Sequence, residues 1–212
     1  MYKRQSLAVN RYRSGGDFSV GATASNQFRM KNETTIGYIA AFGFRSDTDY
    51  FEDYQTGTIA KETSGLENNT SQRGELGVIK KLASALLGIS LKIKNSKYKL
   101  NLLNLRSAES NAIFAQYADY LENPYIGVAN ILTYTERNII SIPLSAKHIL
   151  REGKSIIEWK VAPSFAEVFD KDFKKTVFET DSNLSYFTIS PSTTQLPQRL
   201  WRTLKELSLI HI

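Results

Sequence analysis

Ile140-Ser141-Ile142-Pro143-Leu144-Ser145-Ala146-Lys147-His148 runs down to a polar turn at Arg151-Glu152-Gly153-Lys154. The chain then returns through Ile157-Glu158-Trp159-Lys160-Val161-Ala162-Pro163-Ser164-Phe165. On the way in, Ile140, Ile142, Leu144, Ala146 and His148 share one parity, while Ser141, Ser145 and Lys147 share the other. On the way back Ile157, Trp159, Val161, Pro163 and Phe165 alternate with Glu158, Lys160 and Ser164. A period of two means β-strands with one apolar and one polar face. The two runs, within residues 128–170, cover about 20 and 15 residues, against the usual 5–6 of a globular strand. Long strands joined by tight turns at one end and long polar segments at the other are the layout of an outer-membrane barrel.

The same pattern extends outward. Phe18, Val20, Ala22 and Ala24 alternate ahead of a turn at Lys31-Asn32-Glu33. Ile36, Tyr38, Ala40, Phe42 and Phe44 then take one face, and Gly37, Ala41 and Gly43 keep the other small. Residues 75–93 also satisfy an amphipathic helix through Leu76, Ile79, Ala83, Leu86 and Leu87. Gly77 and Gly88 weaken that helix, and Asn95-Ser96 stands where a hairpin turn belongs. The strand reading, with Ala85, Leu87, Ile89, Leu91 and Ile93 on one face, is therefore preferred, and Tyr98, Leu100 and Leu102 resume the alternation. About seven strands are expected, with short turns near 31, 95 and 152. Long polar loops are expected near 60, 115 and 172, with a helical turn from Glu109 to Leu121, a weaker strand over 178–190 and a short helix from Leu196 to Glu206. The fold class expected is all-β: an antiparallel up-and-down meander forming a curved, open segment of a transmembrane β-barrel.

Composition narrows the function. No run of 18 or more apolar residues is present, so the chain has no transmembrane helix, which leaves barrel strands of 9–11 residues open. There is no cysteine, hence no disulfide and no thiolate metal site. His148 and His211 are the two histidines, and His148, beside a turn, is read as an aromatic-belt residue and not as a catalytic base. The carboxylate pairs Glu52/Asp53 and Asp170/Asp172 fall in expected loops, and Asp170-Lys171-Asp172 lacks the glycine and distal glutamate of an EF-hand. No catalytic, cofactor-binding or metal-ligating residue is therefore assigned, no cofactor is expected, and an enzyme is not expected. Lys92, Lys94, Lys97 and Lys99 form the one dense basic group; a solvated turn is the preferred reading, with anionic headgroups as the alternative and nucleic acid disfavoured. Tyr98 and Trp159, near short turns, suit a membrane-interface girdle.

The two ends read as library-preparation scars. Met1-Tyr2-Lys3-Arg4-Gln5 and Leu207-Ser208-Leu209-Ile210-His211-Ile212 are what a transposase mosaic-end adapter encodes in its two orientations, so residues 1–5 and 207–212 are set aside. Without Lys3 and Arg4 the formal charge of +6 becomes +4. Residues 6–206 are then expected to be an interior piece of a longer protein.

Several stretches resemble one family. Asn95-Ser96-Lys97-Tyr98-Lys99-Leu100 followed by Leu103-Asn104-Leu105 is similar to a barrel hairpin of the TonB-dependent outer-membrane receptors of Bacteroidota-type bacteria. Leu132-Thr133-Tyr134-Thr135-Glu136-Arg137 resembles that family's "YTER" strand, and Ile157-Glu158-Trp159-Lys160 with Pro163-Ser164 its return strand. Leu196-Pro197-Gln198-Arg199-Leu200-Trp201-Arg202-Thr203-Leu204 is similar to its "P-x-R-x-W-R-x-L" segment. The resemblance covers most of residues 17–206. It implies a 22-stranded barrel closed by an N-terminal plug, placed in the outer membrane of a Gram-negative bacterium, with residues 6–206 as a middle third of it. The implied activity is energised uptake of a scarce ligand, a siderophore, cobalamin, peptide or glycan. The implied partners are outer-membrane lipid, that ligand, and TonB and the plug through parts of the protein outside this chain. A soluble or surface β-sandwich for binding or adhesion, and a plug-free porin-like barrel, are the rival readings.

Overall fold

The computed structural model describes residues 9, 11, 15–31, 33–62, 65–119, 125–150, 154–180, 187–189 and 197–211. They form one antiparallel sheet and no helix. Its strands are β1 (Phe18–Arg29), β2 (Thr34–Glu62), β3 (Gly65–Ile93), β4 (Ser96–Asp119), β5 (Tyr125–Ser141), β6 (Leu144–Leu150), β7 (Ser155–Thr180), β8 (Phe187–Ile189) and β9 (Gln198–His211). The expected all-β meander is what the chain builds, as an open, curved sheet. β1 lies at one free edge, and β8 and β9 share the other by pairing along β7.

β5 and β6 are one strand in all but name. Ser141 pairs Leu103 and Leu144 pairs Leu100, so the register on β4 passes the gap without a shift, as it does on β7 (Ser141 with Ser164, Leu144 with Val161). The interruption falls at Pro143, which has no N–H to donate to the ladder. Its carbonyl still accepts from Asn101 N at 3.0 Å, and Ile142 N donates to Pro163 O at 2.9 Å. Counting β5 with β6 leaves eight strands among the described residues, against the roughly seven expected, because 198–206 is strand and not helix.

The expected short turns near 31 and 95 are present. Met30 N donates to Thr34 O at 2.8 Å with Glu33 at φ 56°, and Ile93 pairs Ser96 across a Lys94-Asn95 turn with Lys94 at φ 47°. The turn near 152 and the Asn123-Pro124 loop fall on residues 151–153 and 121–124, outside the described residues. The expected long loops are not loops. Residues 45–62 and 65–72 are strand, parted by the two positions 63–64; 106–119 belong to β4 and 170–180 to β7. Neither expected helix forms: 109–119 and 198–206 are strand, while Leu121 and Leu196 lie outside the described residues. Of the weaker strand over 178–190, residues 178–180 end β7 and 187–189 form β8.

The reason lies in the cross-strand pairs these polar stretches can make. The Thr58 and Thr70 hydroxyls meet at 2.8 Å, Arg73 reaches Asp53 at 3.0 Å and Lys80 reaches Asp49 at 3.2 Å. Such pairs stabilise a ladder as apolar pairs do. Apolar alternation reports which part of a strand carries an apolar face, so reading it as the extent of the strand cut β2 and β3 short. At 29 residues each, these two strands reach about 95 Å at the usual rise per residue.

Local irregularities sit beyond the apolar segment, at the Phe51/Tyr54, Thr58/Ile59, Leu132/Thr135 and Asp170/Phe173 register shifts. There the backbones crowd. A Cβ on Gly74 would collide with the Phe114 carbonyl oxygen and Ala115 Cα, whereas one on Gly77 would have 4.0 Å to its nearest neighbour, Ala112 O. Gly74→Ala is therefore expected to cost about 1–3 kcal/mol as an overpacking strain. Amide hydrogen exchange should read it as acceleration of about tenfold or more at Ala115, Gln116 and Tyr117. Gly77→Ala should leave those amides unchanged; equal effects from the two would refute the crowding.

Candidate functional site

The register joins the separately read apolar faces into one. Successive ladder rows across β1, β2, β3, β4, β6 and β7 read Phe28–Ile36–Leu91–Tyr98–Ala146–Trp159 and Asn26–Tyr38–Ile89–Leu100–Leu144–Val161. Further along, across β1 to β5, β7 and β9, the row is Ala22–Phe42–Ala85–Asn104–Ile140–Phe165–Leu207. Side chains directly opposite in a ladder point to the same face, so these rows form a single apolar surface. Without Leu207, which lies in the terminus set aside above, fifteen large apolar side chains on it are more than a third exposed, from Phe18, Val20 and Phe28 through Leu87, Ile89 and Leu100 to Ile157 and Phe165.

Aliphatic and aromatic residues are sorted within this surface. Leu87, Ile89, Leu100, Leu102, Leu144 and Val161 occupy its middle. Toward the hairpin end Phe28, Tyr98 and Trp159 share a row with Ile36 and Leu91, Phe28 stacks on Tyr38 of the middle row at 6.2 Å, and Ile93 and Ile157 lie one row further out. Toward the other end lie Phe18 against Phe44 at 5.6 Å, with Phe42 and Phe165. From Ile36 to Phe44 the band measures about 26 Å along the strand, or about 20 Å at a barrel's tilt.

The band also runs obliquely to the ladder rows. Its last apolar residue is Phe18 in β1, level with Lys81, but Leu102 in β4 and Phe165 in β7, two or more rows nearer the turns. That offset corresponds to a slant on the order of 30° between the band's normal and the strands.

Beyond the band the same face turns charged. Asn104 Nδ2 donates to Asn138 Oδ1 at 3.1 Å. Arg106 and Lys171 both reach Glu136 Oε2, at 3.1 and 2.7 Å, and Tyr134 Oη donates to its Oε1 at 2.6 Å. Lys205 pairs with Glu167 at 3.0 Å. The donation from Lys171, with those from Tyr134 and Arg106, holds the Glu136 carboxyl down to about 2, against a partial burial that pushes it up. A depressed carboxyl contributes stability that is full above its unfolded value near 4.5 and is lost as pH falls toward about 2. Glu136→Gln should accordingly lower the midpoint of unfolding at pH 6 and leave it unchanged near pH 2. An equal loss at both pH values would mean that the carboxylate charge contributes nothing.

Near the hairpin end the opposite face is mostly small and polar, apart from Ile39 and the Ile149–Ile156 pair at the β6–β7 tip, and it is less so further along. Gly37, Ser90 and Lys99 share one row and Gly43 pairs Ser84, as the sequence predicts for the counterparts of the apolar stripe. An apolar patch of Ala41, Leu86, Leu103, Leu105 and Ile139 interrupts it, which the alternation within single strands does not reveal. The buried cluster Tyr117, Ala129 and Val177 lies on this face too, at the far end of the sheet.

The titratable residues singled out in the sequence are dispersed. His148 sits at the hairpin end of the apolar surface, its Nδ1 3.0 Å from Ser96 Oγ and its ring edge-on to Tyr98 at 5.4 Å. Asp53 is taken up by Arg73 and Gln55, and Asp170 by Arg202 at 2.8 Å and Thr135 at 2.8 Å. Asp172 binds Lys174 at 2.7 Å and Arg199 at 3.0 Å. Among the described residues no group of three His, Asp or Glu side chains is placed to hold a metal ion. What the arrangement offers chemically is a large apolar surface bounded by aromatics and by ion pairs. No family model, curated protein or solved structure matches the chain.

Proposed function

We propose that the sheet is a wall of a transmembrane β-barrel, and that the protein is a TonB-dependent outer-membrane receptor importing a scarce ligand. The apolar surface carries the first step. It is exposed, oblique to the ladder, enriched in aromatics toward both sides and followed by charge, and its height approaches the roughly 25 Å band of outer-membrane barrels. A bilayer explains each of these properties: lipid replaces the missing packing partner, tilt produces the slant, and headgroups receive the aromatic rims. Strands running some 95 Å would carry polar walls well beyond the membrane. The step from barrel to receptor rests on the resemblance at Asn95–Leu105, Leu132–Arg137, Ile157–Ser164 and Leu196–Leu204.

The β-sandwich reading needs a second sheet facing the first across about 10 Å, and the described residues form one sheet. A porin-like barrel shares every property above and differs in what precedes the chain. Sequencing the source DNA outward from both ends separates the two. An upstream plug with a TonB-contact segment is expected. Native codons for Met-Tyr-Lys-Arg-Gln and a stop after Ile212 would overturn the receptor reading.

A further inference from the structure

The chain's positive charge is concentrated in three short segments of the sequence. Residues 29–33, 92–99 and 147–160, the three hairpin tips with their flanks, hold ten of the 27 cations and three of the 21 carboxylates, a net +7. The remainder of the chain is close to neutral, at −1. Within these tips the register gathers six cations onto two neighbouring rows of the polar face. One row reads Arg29–Thr35–Lys92–Lys97–Lys147–Glu158, the next Gln27–Gly37–Ser90–Lys99–Ser145–Lys160.

Elsewhere the sheet matches its cations with carboxylates: Arg45 with Asp47, Lys80 with Asp49, Arg73 with Asp53, Arg106 and Lys171 with Glu136, Lys205 with Glu167. Here the one ion pair among the described residues is Lys147 with Glu158, long at 3.7 Å and open to water. Lys92, Lys97 and Lys147 stand on adjacent strands whose backbones are about 5 Å apart. That repulsion is tolerated by a sheet whose rows are meant to meet an anionic partner, and the other rows show that the chain has carboxylates to spend on neutralisation.

A hollow adjoins the cations. Gly37 and Gly88 present no side chain to the polar face, beside an open space of about 610 Å³ lined by the polar Ser25, Gln27, Ser90, Lys99 and Asn101 and by the apolar Ile39 and Leu86. A Cβ at Gly88 would enter it within 2.5 Å of Asn101 Oδ1, and one at Gly37 would come within 2.7 Å of Ser90 Oγ. Amide and hydroxyl groups around a glycine floor can hydrogen-bond a peptide backbone while the cations receive its side chains.

We infer that this end of the polar face docks an extended, carboxylate-rich polypeptide segment. Single-stranded nucleic acid would want stacking aromatics, and the two rows contain none. An anionic membrane would meet the rim lysines but has no use for a recessed hydrogen-bonding floor. The site stands whether or not the opposite face lies in lipid.

The test is a fluorescein-labelled decaglutamate peptide titrated onto the whole chain in zwitterionic detergent, read by anisotropy. Binding that weakens between about 20 and 150 mM salt is expected. Lys92→Glu/Lys97→Glu/Lys147→Glu should weaken it by about tenfold or more. The milder Lys92→Gln/Lys97→Gln/Lys147→Gln variant should weaken it less, and it carries the test should the reversal fail to fold. Gly88→Val should weaken binding without changing its salt dependence. Lys80→Glu/Arg73→Glu, at the far end, should leave it intact. No binding, equal loss in that far-end variant, or tighter capture by phosphatidylglycerol vesicles than by the peptide would each overturn the inference.

Discussion

Leu144→Arg is expected to cost about 2–4 kcal/mol of folding free energy in a bilayer, because its row crosses the middle of the apolar band. Leu144 pairs Leu100 on one side and Val161 on the other, and all three point to the surface proposed to meet lipid. An arginine there has no carboxylate on its own row; it must snorkel or thin the membrane. Ser145→Arg, one residue on, is expected to cost about 1 kcal/mol or less. It points to the polar face, and its penalty is repulsion from Lys99 and Lys160, its row neighbours. Val161→Arg should behave as Leu144→Arg does. Denaturant titration in vesicles, followed through Trp159 and Trp201 fluorescence, measures all three. Similar values for Leu144→Arg and Ser145→Arg would refute the facing. Small values for both would instead suit a surface open to water, since Leu144 is already 37% exposed in the isolated sheet.

The facing itself was legible in the sequence, strand by strand, because alternation fixes which residues share a side. Ile36 to Phe44, Ala85 to Ile93, Tyr98 to Leu102 and Ile157 to Phe165 were each assigned the face they occupy. The sequence could not show that the turns place these stripes side by side. The tight Lys94-Asn95 turn does so for β3 and β4 by fixing Ile93 opposite Ser96, after which every lower pair follows. Polar strand extensions were illegible for a different reason. From Thr56 to Thr70 Thr, Gly, Asn and Glu predominate, and Ile59 and Leu66, the two large apolar residues, set no period whether the stretch forms ladder or loop. The helix read into Leu196–Glu206 failed because Arg199, Arg202 and Lys205 look like one polar helical stripe. In the sheet they pair with Asp172, Asp170 and Glu167 on β7. Those partners lie some 30 residues away, beyond any local pattern. The cation rows were half legible: Lys92, Lys97 and Lys99 stood out, but Arg29, Lys147 and Lys160 join them only through the register.

In water without detergent the chain is expected to aggregate, and this is the second large effect. Fifteen apolar side chains, each more than a third exposed on one face, leave on the order of 1,000 Å² uncovered, about twice the largest patch of an ordinary soluble monomer. Covering that area is favourable by about 25 kcal/mol, more than the 5–15 kcal/mol that hold a typical domain folded. Association through this face therefore outweighs the native stability of the separate sheet. The free edges at β1 and β9 offer a second route, by strand addition. The two routes can be distinguished. Leu87→Ser/Leu100→Ser/Leu144→Ser thins the middle of the face and leaves both edges untouched. Size-exclusion chromatography should show the unaltered chain in the void volume without detergent and as a strand-rich micelle complex with it. Improved dispersal of the triple variant would assign the association to the face, and no improvement would assign it to the edges. A monomeric, cooperatively melting preparation of the unaltered chain in plain buffer would mean that the apolar surface finds its cover within the molecule, and the membrane reading would fall with it.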